Sequence, residues 1–135
     1  LMGGAISINK INFRDMQYAI NNNLLIVNTL ENNNQECLIK NTLSAEREIE
    51  LLNHYINSNK SIKIVIYGEN SCDNKIVKKY NQLCELGLKN IYVYIGGLFE
   101  WLLLQDIFGD EEFPTTTKIS NILKYQGDTV KSLKQ

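Results

Sequence analysis

The sequence predicts an α/β domain, a mainly parallel sheet of about five strands with helices on both faces and right-handed crossovers. Three observations predict it. Short runs rich in Ile, Val and Tyr alternate along the chain with segments of helical period. Capping residues and glycines fall between those runs, where helices would start and stop. The 44% hydrophobic content of 135 residues suffices for one ordinary core, so a single domain over 1–135 is expected.

The elements follow in order. Ile6 and Ile8 alternate with Ser7 and Asn9 as a short strand would, and Asn12 caps a helix over 13–22 with Met16, Ala19 and Ile20 at helical spacing. The continuous apolar run 24–27 reads as a strand buried on both faces. After the polar stretch 31–36, Cys37, Leu38 and Ile39 form a brief apolar patch. Ser44 then starts a helix with the stripe Ile49, Leu52 and Ile56, which Asn59 ends. The strongest strand signal is 62–67, with Ile62, Ile64 and Ile66 beside Val65 and Tyr67. It leads through a polar loop into a helix capped near Asp73, with Ile76, Tyr80, Leu83 and Cys84 facing inward and Gly87 at its end. A strand over 91–95 stops at Gly96 and Gly97. An apolar helix over 98–108 follows, then Gly109, an acidic turn, Pro114, a threonine run, and a short helix to about Tyr125. The core is expected over about 5–117, with 127–135 frayed.

Charge and cysteine usage narrow the functional classes. Lys+Arg total 14 and Asp+Glu 15, a net charge of -1, so no global positive field exists to hold a nucleic-acid backbone. No apolar run approaches the ~20 residues of a membrane helix. Cys37, Cys72 and Cys84 are an odd count without metal spacing, which favours a reducing, cytoplasmic setting and neither zinc nor a disulfide framework. No phosphate-binding glycine motif is present, and no cofactor is expected.

In a parallel sheet, ligands bind beyond the carboxyl ends of the strands. That rule nominates the loop Gly68, Glu69, Asn70, Ser71, Cys72 and Asp73, with the turn after Ile95 beside it. Cys72 is the loop's only thiol. Its position near a helix N-terminus would lower a thiol pKa, but the adjacent Asp73 opposes thiolate formation, so a non-catalytic thiol is the expectation. Cys37 and Cys84 read as packed core thiols, His54 as a surface histidine, and Trp101 as core. The tract Met2-Gly3-Gly4-Ala5-Ile6-Ser7 matches the N-myristoylation pattern if Met2 is the natural start, with Gly3 as acceptor. A single acyl chain gives only marginal, reversible membrane attachment.

The chain resembles the rhodanese-like family over about residues 5–117. The stretch Gly87-Leu88-Lys89-Asn90-Ile91-Tyr92-Val93-Tyr94-Ile95-Gly96-Gly97, with Glu100 and Trp101 after it, is similar to the family's G-x-x-N-V-x-x-L-x-G-G segment and trailing Trp. Leu24-Leu25-Ile26-Val27-Asn28 resembles a strand that in the family ends in an acidic residue. Ile64-Val65-Ile66-Tyr67 resembles the strand before the active loop. The runs 99–107 and 112–116 look like a small single-domain subgroup known from protists and large DNA viruses. The resemblance implies a nucleophilic Cys directly after that last strand, wrapped by a loop of about six residues whose N–H groups stabilise a thiolate or persulfide. Here Gly68 stands at that position, and Asp73 stands where a basic residue commonly helps hold an anionic donor. The resemblance therefore implies the fold and a catalytically inactive binding or scaffold module with an unidentified protein partner. The alternative is a sulfurtransferase or persulfide carrier that uses Cys72. A monomer or a homodimer through the apolar 99–108 helix is expected.

Overall fold

The computed structural model describes residues 8–135, so Gly3 and its acylation pattern, like Ile6, lie outside the described residues. Four parallel strands form one sheet in the order β1-β4-β3-β2: β1 Lys10–Ile11, β2 Leu25–Asn28, β3 Lys63–Tyr67 and β4 Asn90–Tyr94. Four helices connect and cover them: α1 Phe13–Asn21, α2 Ala45–Ser58, α3 Lys75–Glu85 and α4 Gly97–Phe108.

Side chains alternate across the sheet, as the pleat requires. Ile64 and Ile66 of β3, with Val27, Ile91 and Val93, pack with Leu52 of α2 and with Ile76, Tyr80 and Leu83 of α3. Val65 and Tyr67 turn the other way, with Ile26 and Tyr94, onto Met16 and Ala19 of α1 and Leu98 and Trp101 of α4. Helices therefore cover both faces, as the alternating elements predict. Trp101 is fully buried, meets Tyr94 and Phe113 edge-on, and donates its Nε1–H to Pro114 O at 3.0 Å. Tyr125, in the turn Ile122–Tyr125, is also fully buried in this layer, so the packed interior continues past residue 117.

Several boundaries differ from expectation, each for a local reason. Pairing with β4 begins where Val93 N–H donates to Asn9 O, and the first strand is only Lys10–Ile11 because Asn12 at once opens α1 with a reciprocal cap to Asp15. Among the described residues a fifth strand does not form. The segment after Cys37 turns back through Asn41 at φ 70°, with Thr42 N–H donating to Ile39 O, and contributes only single bridges, Ile26 to Thr42 and Ile39 to Thr115. Cys84 is exposed, whereas Ile76, Tyr80 and Leu83 alone make the inward stripe of α3. Cys37 is buried, its Sγ 3.4 Å from Thr117 O, and His54 is exposed beside Tyr55. The tail expected to fray includes a turn over Lys131–Lys134, and Gly127 lies against Cys72. Among the described residues no helix is long and apolar enough to cross a membrane, and none group as metal ligands.

Candidate functional site

The carboxyl ends of β2, β3 and β4 converge on the loop 68–74. Its floor is Tyr67, whose buried hydroxyl accepts from Ile39 N–H at 3.1 Å and shares a 2.7 Å hydrogen bond with Thr42 Oγ1. Burial outweighs those bonds and holds the Tyr67 phenol well above its ordinary range. The same hydroxyl thus anchors the turn that replaces a fifth strand.

Gly68 follows directly and is buried. Leu98 N–H donates to Gly68 O and Phe99 N–H to Glu69 O, both at 2.9 Å, so the first turn of α4 is tied to the loop. Those donors are orphans at any helix start, and here loop carbonyls satisfy them. The close approach needs Gly97. It has φ +69°, and a Cβ there would stand 2.7 Å from Gly68 O and 3.0 Å from Asn70 N.

The centre of the loop is occupied from within by Asp73. Its Oδ2 accepts from Thr29 Oγ1 at 2.9 Å and from Glu69 N–H at 3.1 Å, while Oδ1 accepts from Lys75 N–H at 2.9 Å. Asn74 occupies the N-cap of α3 without a side-chain bond, so Asp73, one residue earlier, does the capping expected of this region. A carboxylate held by a hydroxyl and two backbone N–H groups is a satisfied internal anion. A Cβ on Gly68 would lie 2.5 Å from Asp73 Oδ2 and 2.9 Å from Thr29 Oγ1. The carboxylate therefore fills the space directly over residue 68.

The remaining loop residues point outward or toward the tail. Asn70 Oδ1 accepts from Cys72 N–H and Nδ2 donates to Tyr125 O, both at 2.9 Å. Ser71 and Cys72 are exposed. A Cβ on Gly127 would stand 3.2 Å from Cys72 Sγ. An open cleft of about 630 Å³ lies between the loop and the tail, with Glu69, Asp73 and Asp128 on its lining against Lys75. Lys75 is itself paired with Glu31 at 3.0 Å. The cleft is acidic and a poor seat for a further anion.

Asn28, at the end of β2, accepts from Leu30 N–H and Gln35 Nε2, both at 2.9 Å, and so braces the following turn. Thr29 and the tail lie outside the loop in sequence and reach it only in the fold. Thr29 was findable, since it follows β2, which neighbours β3 in parallel. The tail carries no such signal, because Asn70 and Tyr125 are 55 positions apart.

Solved structures of similar fold include the rhodanese-like domain of the Alr3790 protein from Anabaena sp., in solution, with a TM-score of 0.58 at 19% identity over 92% of this chain and 90% of that one. A crystal structure of the Alr3790 protein gives a TM-score of 0.55 at 18% identity, over 84% of this chain and 97% of the other. At such identities the likeness establishes the fold alone. A search of curated proteins finds none that matches the chain. Residues 4–104 match the Rhodanese-like domain, a span that holds all four strands, the loop and most of α4. By that match the chain belongs to the rhodanese-like domain family.

Proposed function

We propose that this protein is a catalytically silent rhodanese-like domain that acts as a binding or scaffold module. The observation that carries the reading is the Asp73 carboxylate lying over Gly68. In the rhodanese-like arrangement the nucleophilic sulfur stands directly after this strand and loop N–H groups face its negative charge. Here residue 68 has no side chain, and Asp73 takes the Glu69 N–H and the Thr29 hydroxyl for its own charge. An incoming anionic sulfur donor would meet a carboxylate already using those donors, with Glu69 beside it.

Exposure of Cys72 supports a second reading, a persulfide carrier. In that reaction the Cys72 thiolate attacks the sulfane sulfur of thiosulfate, sulfite leaves with the bonding electron pair, and an acceptor thiolate later removes the sulfur from the persulfide. A sulfurtransferase assay with thiosulfate and mercaptopyruvate, run on the wild type and Cys72→Ser with intact mass, separates the two. No turnover and no gain of one sulfur atom are expected. Turnover, or a sulfur adduct lost in Cys72→Ser, would make this an enzyme working through Cys72.

The Met2–Ser7 pattern supports a membrane tether through an acyl group on Gly3. Co-expression with an N-myristoyltransferase, followed by intact mass, should show the acyl gain in the wild type and none in Gly3→Ala.

A further inference from the structure

We infer that the outer face of α4 docks a partner's amphipathic helix, one whose apolar stripe is flanked by Lys or Arg. The inference rests on the binding-module reading and names the chemistry of its partner. Within α4, Leu98, Trp101, Leu102 and Gln105 make the stripe turned into the core. Leu103 and Ile107 lie one turn apart on the opposite side, 40% and 70% exposed, while Phe108, 62% exposed, leans on Phe113 at the end of the helix. Phe99 and Leu104 also lean on the core, so the side that carries Leu103 and Ile107 is the apolar side of α4 that the described fold leaves uncovered. A contiguous apolar ridge of this kind marks an interaction surface.

Charge selects among the occupants. Asp106, Asp110 and Glu111, all exposed, border the ridge, and no Lys or Arg occurs between residues 97 and 117. An ion pair on this border joins Lys118 to Asp110 at 3.1 Å, exposed on both sides and so weak. A second copy would bring the same acidic border against itself, and an anionic lipid surface would be repelled by it. A helix with basic flanks meets it with opposite charge. The ridge is convex and its backbone is satisfied within α4, so strand addition is unavailable, whereas an i, i+4 ridge fits the groove of another helix.

The test uses two synthetic amphipathic helices, one of Leu and Lys and one of Leu and Glu, titrated by fluorescence anisotropy. The Leu/Lys helix should bind the wild type saturably, and Leu103→Ser/Ile107→Ser should weaken it by about tenfold or more. Asp106→Lys/Asp110→Lys/Glu111→Lys should lose the Leu/Lys helix and take up the Leu/Glu helix. All these positions are exposed, and circular dichroism confirms that each variant folds. Equal binding of both helices by the wild type, or binding indifferent to Leu103 and Ile107, overturns the proposal. So does a light-scattering dimer dissolved by Ile107→Ser, which assigns the face to a second copy. Sedimentation with phosphatidylserine vesicles that depends on Ile107 would assign it to lipid and overturn the proposal equally. None of these outcomes bears on the sulfur-transfer assay, so the two readings fail separately.

Discussion

Replacing Gly68 by alanine would drive a methyl group to 2.5 Å from Asp73 Oδ2, and Thr29 Oγ1 leaves no room on its other side. Overpacking of this kind costs about 1–3 kcal/mol, which urea unfolding of Gly68→Ala should show. In an Asp73→Ala background the same substitution should cost at least about 1 kcal/mol less, because the atom it meets is gone. An equal cost in both backgrounds would mean that Asp73 does not fill this space. The same contact predicts the outcome of Gly68→Cys: the introduced thiol would face the carboxylate, and sulfurtransferase activity should stay near background. Rates near those of an active sulfurtransferase would contradict that. The three thiols differ by environment alone. Cys72 and Cys84 are exposed and should react with Ellman's reagent in the folded protein, while buried Cys37 should react only on unfolding.

At the level of elements, the junction of β4, α4 and the loop depends on a single residue. Gly97 combines a positive φ with backbone atoms of Gly68 and Asn70 inside the volume of a side chain, and Gly68 O is itself held by the bond from Leu98 N–H. Gly97→Ala should cost about 2–4 kcal/mol in chemical denaturation. Gly96→Ala should cost less, since the atoms it meets belong to the flexible Glu100 side chain. This junction was legible as sequence: a Gly-Gly pair that ends a strand and opens an apolar helix reads as a close backbone passage. Helices α1 and α2 were equally legible, because Asn12 and Ser44 accept from Asp15 N–H and Arg47 N–H as their cap positions predict. The length of β1 was not, because only the Val93 to Asn9 bond decides where pairing starts.

For the molecule as a whole, the face of the sheet buried under α1 and α4 sets the response to alkaline pH, because it holds both Tyr67 and Tyr94. Burial raises the Tyr67 and Tyr94 phenols well above their usual value of 10.0. A folded pKa above the unfolded one means that this contribution is fully present below pH 10 and is lost as pH rises beyond it. Each tyrosine then removes up to about 1.4 kcal/mol per pH unit. Stability from these two groups should be flat from about pH 7 to 9 and fall above about pH 10. Phenolate absorbance should show both ionising only together with unfolding; their titration in the folded protein would refute this. The sequence by itself determined the α/β class, the alternation that buries β2, β3 and β4 on both faces, and the place of the loop at the strand ends. Those follow from local period, caps and glycines, which act within a few residues. Tertiary structure alone decided that Asp73 turns back over Gly68, that Cys84 faces solvent while Cys37 is enclosed, and that Tyr125 is buried while Ile107 is not. Each depends on what a residue distant in the chain leaves room for, and no local pattern carries that information.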